Sequence, residues 1–212
     1  MKLKSSFAVA AAGLLLAAGQ ASADTITFET LAVGSVLSNQ FAGVTFTPNA
    51  FTGAGTSTSG ADWATNTNMT IVASGGTDVG GLGTPSLVSG NILRSFAGWL
   101  NEDGDASFRV SFANPVTSFS ATFAGVSTAA DVTMWAYNGA TQIGTISGVV
   151  PGQFVLTLNG VSITSVVVRP GSFDDWVGVD NITFTPSVVP ETSTYAMMGL
   201  GLALLAFRRR QG

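Results

Sequence analysis

The sequence predicts an all-β fold, an antiparallel sandwich of the jelly-roll type between an N-terminal signal helix and a short C-terminal hydrophobic helix. Three observations predict it. Apolar residues recur at period two through the middle of the chain, Gly, Asn and Pro punctuate those runs, and no long amphipathic helical window occurs between the two ends.

The first element, residues 1–23, has a basic start (Lys2, Lys4), an apolar stretch from Phe7 to Ala18, and the small residues Ala21-Ser22-Ala23. This is the pattern of a secretory signal peptide, with Ala21 and Ala23 read by signal peptidase and cleavage before Asp24. The apolar stretch of 12 residues is short of the roughly 20 that span a bilayer.

Residues 24–187 form the second element, one domain in size. Period-two runs occur at Ile26-Phe28, Val44-Phe46, Phe108-Val110-Phe112, Phe119-Ala121-Phe123, Val132-Met134-Trp135-Tyr137, Phe154-Leu156-Leu158, Val166-Val168 and Ile182-Phe184. Alternation of this kind marks half-buried strands. Turns are expected at Asn114-Pro115, Asn138-Gly139, Pro151-Gly152, Asn159-Gly160 and Pro170-Gly171. The Gly/Ser/Thr/Asn-rich stretch from Ala50 to Ser95 reads as long loops with one or two embedded strands, Met69–Ala73 first among them. Long loops on a rigid sandwich are where ligand contacts usually sit.

Composition narrows the chemistry. The chain has no His and no Cys, which excludes a Ser-His-Asp triad, His or thiolate metal ligands, disulfides and a Cys nucleophile. Residues 24–187 carry three arginines (Arg94, Arg109, Arg169), no lysine and eleven acidic groups, a net of −8. Amine-nucleophile chemistry is excluded there, and such a body repels nucleic acid and anionic membrane surfaces. Asp174-Asp175 is not an acid/nucleophile pair for glycoside hydrolysis, because neighbours on a strand point to opposite faces. The expectation is a non-enzymatic protein; a polysaccharide-active hydrolase would need carboxylates brought together from distant segments. Asn101-Glu102-Asp103-Gly104-Asp105 has oxygen ligands at alternate positions but lacks the full EF-hand pattern, so it reads as a solvated turn. Trp63, Trp99 and Trp176 fall in or beside loops, where an indole face could stack on a sugar. They are the candidate residues of a carbohydrate-binding, lectin-like module.

The last element, residues 188–212, holds Pro190-Glu191, a Ser/Thr segment, an apolar run from Tyr195 to Phe207, and Arg208, Arg209 and Arg210. As a helix the 13-residue run rises only about 20 Å against a hydrocarbon core of about 30 Å. With the arginines held at the cytoplasmic face, it would pause in the membrane during export and leave the domain outside. This order of elements resembles the PEP-CTERM sorting signal of Gram-negative bacteria, departing from it at Thr192, where a second Pro is expected. The resemblance implies that exosortase, a membrane protease, removes the tail near Pro190-Glu191. The protein would then be released or transferred to the outer surface, commonly in species that make exopolysaccharide. A secreted or cell-surface, extracellular-matrix or biofilm protein is the expectation, with transient contact with the inner membrane through the tail helix.

The body, in TITFETLAVGSVLSNQFAGVTFT and FDDWVGVDNITFT, is similar to the sandwich ectodomains common among PEP-CTERM proteins and, more loosely, to carbohydrate-binding-module jelly rolls. That likeness implies a structural Ca²⁺ held by Glu29, after the first strand, and Asp180, in the last. Two carboxylates with backbone carbonyls are the hard oxygens such an ion takes.

Overall fold

The computed structural model describes residues 21–48, 67–74, 87–97, 107–126, 128–171 and 177–187, with Gly199, Gly201 and Arg209. Nine strands build the body: β1 (Asp24–Ile26), β2 (Val44–Pro48), β3 (Thr67–Ala73), β4 (Asn91–Ala97), β5 (Phe108–Val126), β6 (Thr133–Asn138), β7 (Thr141–Ser147), β8 (Gly152–Arg169) and β9 (Gly178–Pro186). Phe28–Thr30 and Ala129–Asp131 are single 3-10 turns. Every pairing is antiparallel. The order is β3-β4-β9-β5-β8-β6-β7, with β1 on β9 and β2 on β5.

Two strands decide this architecture, and they differ from the expectation. Asn114-Pro115 and Asn159-Gly160 are not turns between separate strands. They lie inside β5, of 19 residues, and β8, of 18. The β5–β8 register shifts between Ser111 and Val116, opposite the stretch from Ile163 to Ser165, and again before Ser118 and Asn159. Both strands therefore bend at one level. Proline has no N–H to give a ladder and is tolerated where pairing is already interrupted; the Pro115 carbonyl instead accepts from Ser187 N at 2.8 Å. On β8 the irregularity is taken up by Ser162 at φ +63.

Because both strands pass through the bend, all nine strands join one hydrogen-bonded network instead of two separate sheets. Before the bend β5 pairs with β2 and the end of β8; after it, with β9 and the start of β8. Strands that switch sheets through bulges make the corners of such packings. The two layers face each other: a Cβ at Gly144 on β7 would stand 3.6 Å from Leu158 Cδ2 on the first half of β8, a strand to which β7 is not paired.

One apolar core fills the space between the layers. Its largest fully buried side chains are Phe28, Phe46, Phe108, Phe119 and Phe123. Neighbouring rings meet edge to face or tilted, as in Phe28–Phe41 (6.0 Å), Phe41–Phe46 (6.2 Å) and Phe46–Phe108 (6.4 Å), the arrangement their quadrupoles favour. The expected turn at Asn138-Gly139 closes the β6–β7 hairpin, while that at Pro151-Gly152 joins β7 to β8, two strands that are not paired with each other; Gly139 and Gly152 take φ +58 and +104 there. The Ala50–Ser95 stretch contains β3, close to the expected Met69–Ala73, and the start of β4.

Ser22–Ser187 make up one compact unit. Of the rest, Ala21, Gly199, Gly201 and Arg209 are described. The expected signal helix and tail helix, with Pro190, Glu191, Arg208 and Arg210, lie outside the described residues.

Candidate functional site

The two carboxylates singled out in the sequence, Glu29 and Asp180, meet at one end of the sandwich. Glu29 belongs to the 3-10 turn after β1 and is exposed; Asp180 is 2% exposed. A bulge brings Asp180 inward: the β5–β9 register slips between Ser120↔Thr183 and Thr122↔Asp180, and Asn181 takes φ +49. Asn tolerates this left-handed conformation better than most residues, and bulges commonly re-aim a side chain.

Both carboxylates grip the segment that leads into β4. Glu29 accepts from Asn91 N with both oxygens at 3.3 Å, while Asn91 Nδ2 donates to the Leu31 carbonyl at 2.8 Å. Asp180 Oδ1 accepts from Asn181 N at 2.7 Å, and its carboxylate also accepts from the backbone N–H of Ser89. Between them stands Gly90, at φ +64, where a Cβ would collide with the Glu29 carboxylate. Glycine is thus required there twice, for its φ and for the close approach.

Burial pushes the Asp180 carboxyl above its ordinary value. The N–H groups of Asn181 and Ser89 pull it back, and the charge of Glu29 adds to the upward push. A carboxyl whose ionisation is opposed by burial and by a neighbouring carboxylate is one that a cation or a retained proton relieves. Carboxylate oxygens from two elements are of the hard type that a divalent ion takes; the Leu31 and Leu87 carbonyls nearby accept from the Asn91 and Asn181 side-chain amides. Among the described residues there is no group of three or more acidic side chains, so an ion here would complete its shell with carbonyl oxygens and water.

A second arrangement lies on the outer face of the sheet. On β6, Met134 and Ala136 point into the core, leaving Trp135 and Tyr137 on the opposite face, both half-buried. Trp135 is registered on Val167 and Tyr137 on Ser165, and these in turn on Arg109 and Ser111 of β5. The Arg109 guanidinium lies over the Tyr137 ring at 4.9 Å and donates from Nη1 to Ser165 Oγ at 2.8 Å. That of Arg169 lies over the Trp135 ring at 5.6 Å, with Nε donating to the Asp131 carbonyl at 2.7 Å. Such stacking holds cation and ring in fixed relative positions. The four large side chains cover Val167 and Ser165, which are 3% and 7% exposed although they sit on the outer face. Two of the three arginines of the acidic body thus share a face with a Trp and a Tyr.

Sequence reasoning did not single out this row. Its signal is Trp135 and Tyr137 at i and i+2 within Met134-Trp135-Ala136-Tyr137, which reads as apolar on both faces until the partner strands show which face is core. The indoles that were singled out, Trp63, Trp99 and Trp176, lie outside the described residues, as do Asn101–Asp105 and Asp174-Asp175. Ala21 and Ala23 are exposed, and so is Arg209.

No protein-family model matches the chain, and no curated protein does. Solved structures give slight likenesses. The K2 cleaved adhesin domain of Lys-gingipain (Kgp) matches at 15% identity and TM-score 0.49, over 77% of this chain and 99% of that one. A family 6 carbohydrate-binding module matches at 19% identity and TM-score 0.28, over 56% of this chain and 95% of that one. Likenesses this slight carry no argument about what the protein does.

Proposed function

We propose that the chain is an exported, non-catalytic binding module for extracellular polysaccharide. One observation carries the reading: Trp135 and Tyr137 are held side by side on a sheet face, each fixed by an arginine. Pyranose rings offer an apolar C–H face and a rim of hydroxyls, which aromatic side chains beside hydrogen-bonding groups complement. A rigid sheet places such groups without ordering loops on binding, which keeps the entropic loss small. The net charge of −8 between residues 24 and 187 directs the module away from nucleic acid and anionic lipid.

Binding of the full-length exported protein to the producing cell's own exopolysaccharide, and to an array of neutral and acidic glycans, tests this directly. Trp135→Ala combined with Tyr137→Ala is expected to weaken binding by about thirtyfold or more, since truncating a central aromatic anchor removes about 2 kcal/mol or more. Undiminished binding by that variant, with its far-UV spectrum unchanged, would end the assignment to this face.

In the same reading, Glu29 and Asp180 hold a structural calcium ion. It would supply positive charge where two carboxylates meet and tie the turn after β1 to β9 and the entry to β4. The N-terminal signal directs export and the tail directs sorting: Pro190-Glu191, the apolar run and Arg208–Arg210 are processed by exosortase after signal peptidase has cut behind Ala23. The expected intact mass of the mature protein corresponds to a chain that starts at Asp24 and ends near Pro190. A secreted product that still ends at Gly212 would rule out tail processing.

A further inference from the structure

The two ends of the strand order are finished differently. At the β3 end a loop runs alongside the strand: Gly34 N donates to the Ile71 carbonyl at 2.8 Å, Ile71 N to Ser35 at 2.9 Å and Leu37 N to Met69 at 2.8 Å. That edge is covered. At the other end β7 pairs, among the described residues, with β6 alone.

Natural sheets blunt an open edge with Lys, Pro or an inward charge. β7, TQIGTIS, has none of these. It sits inside a stretch of 37 residues, Val132 to Val168, without one charged side chain, in a body whose net charge is −8. The same stretch exposes Ile143, Val149 (88%), Val150, Val155 and Val161 (84%). One protection is present: the β6–β7 register slips between Ala136↔Gly144 and Tyr137↔Gln142, a bulge next to the hairpin turn. The bulge leaves the regular edge from Gly144 to Ser147.

We propose that this edge of β7 is a self-association surface, the occupant being β7 of a second copy of this chain in antiparallel pairing. Charge selects that partner. Two molecules of net −8 repel one another over most approaches, and the charge-free stretch is where they meet without like charges facing. A closed two-fold contact also needs a surface complementary to itself, and an uncharged strand running antiparallel to its own copy meets that condition.

The backbone fixes the register. Gly148 N donates to the Val132 carbonyl at 2.9 Å. Hydrogen-bonded pairs alternate along an antiparallel ladder, so Ile146 and Gly144 turn their N–H and C=O groups to β6. Thr145 and Ser147 present theirs to the open side. A two-fold axis at Ile146 sets Thr145 against Ser147 of the second copy and the reverse, closing about four backbone hydrogen bonds. It also brings Ile143 toward Val149 of the second copy.

Sedimentation velocity of the full chain over a wide concentration series reads this out. The expected result is a monomer that passes to dimer as concentration rises. The dimer should be strengthened by added salt, which screens the net charge and has no attractive ion pair to weaken. Thr145→Pro removes the outward N–H and no bond to β6, a position where an edge strand tolerates proline. It is expected to raise the dimer dissociation constant at least tenfold while leaving the circular dichroism and glycan binding unchanged. Thr145→Lys, which keeps the backbone donor and adds a charge, is expected to act in the same direction. A wild-type chain that stays monomeric at every concentration overturns the proposal. So does a dimer that both variants form as readily as wild type, which would place the contact elsewhere.

Discussion

Phe119→Ala is expected to destabilise the protein by about 3–5 kcal/mol, the range for removing a fully buried phenylalanine. The ring is 0% exposed, lies 6.0 Å from Phe112 edge to face, and sits on β5 with Leu158 of β8 and Phe184 of β9 registered on either side. It is thus packed by three strands just past the bend, where the sequence suggested one strand ending and another beginning. Against a total of about 5–15 kcal/mol for a domain, such a loss leaves little. Urea unfolding should show the midpoint falling with little change in slope, and the melting temperature dropping by about 10 °C or more. Val161→Ser, on the same network but 84% exposed, should stay within about 0.5 kcal/mol of wild type. Similar losses at both positions would mean that the strands are not layered about Phe119 as described.

The same region shows why strand content was legible in the sequence and strand connectivity was not. Period-two alternation at Phe108-Val110 and Phe119-Ala121-Phe123 reports only that one face is buried, and both segments are indeed strand. Asn114-Pro115 carries the local chemistry of a turn. What makes it a bend within one strand is the matching irregularity on β8, some fifty residues away, together with the Ser187 N–H that takes up the Pro115 carbonyl. Local propensity holds no information about either. The hairpin at Asn138-Gly139 was legible because its determinant, a residue free to take positive φ, is local.

The candidate sites divide along the same line. Glu29 and Asp180 were brought to notice by a likeness of short motifs at the two ends of the body, and the antiparallel pairing of β1 with β9 places them together. The role of Gly90 was not legible, since nothing near it in sequence indicates a carboxylate arriving from residue 29. For Trp135 and Tyr137 the residue types were visible and the face was not. Only the register that lays Val167 beneath them, and Arg109 and Arg169 over their rings, separates an outer row from core packing.

At the Glu29–Asp180 end, metal-stripped protein is expected to lose stability as pH rises above 3.8, the ordinary value of the Asp180 carboxyl. The sign follows from the Asp180 carboxyl, which burial and then Glu29 hold above its ordinary value of 3.8. Below 3.8 the group is protonated in both folded and unfolded chains and contributes no pH dependence. Between that value and the raised folded one, the fold retains a proton that the unfolded chain has released, so stability falls with increasing pH across the window. Above the folded value the ionised pair is present in full and the curve is flat again. Calcium binds the ionised form, so it should act most strongly near neutral pH: at a hundred times its dissociation constant it adds about 2.7 kcal/mol, a rise of about 5–10 °C in melting temperature. Asp180→Asn keeps an oxygen for the Asn181 N–H but carries no charge, and its NH2 group replaces an oxygen that accepts from Asn181 Nδ2 or Ser89 N–H. It should remove both the pH slope and the calcium response, so that its melting temperature is the same in chelator and in calcium. Gly90→Ala should lower the melting temperature with or without calcium, because the strain at φ +64 and the collision with Glu29 do not depend on the ion. Scanning calorimetry in chelator and in calcium separates these outcomes. Identical melting in the two buffers at neutral pH removes the ion from the site. A pH-independent melting temperature in chelator would show that the Asp180 carboxyl is not held above its ordinary value, and would remove the physical reason for a cation beside it.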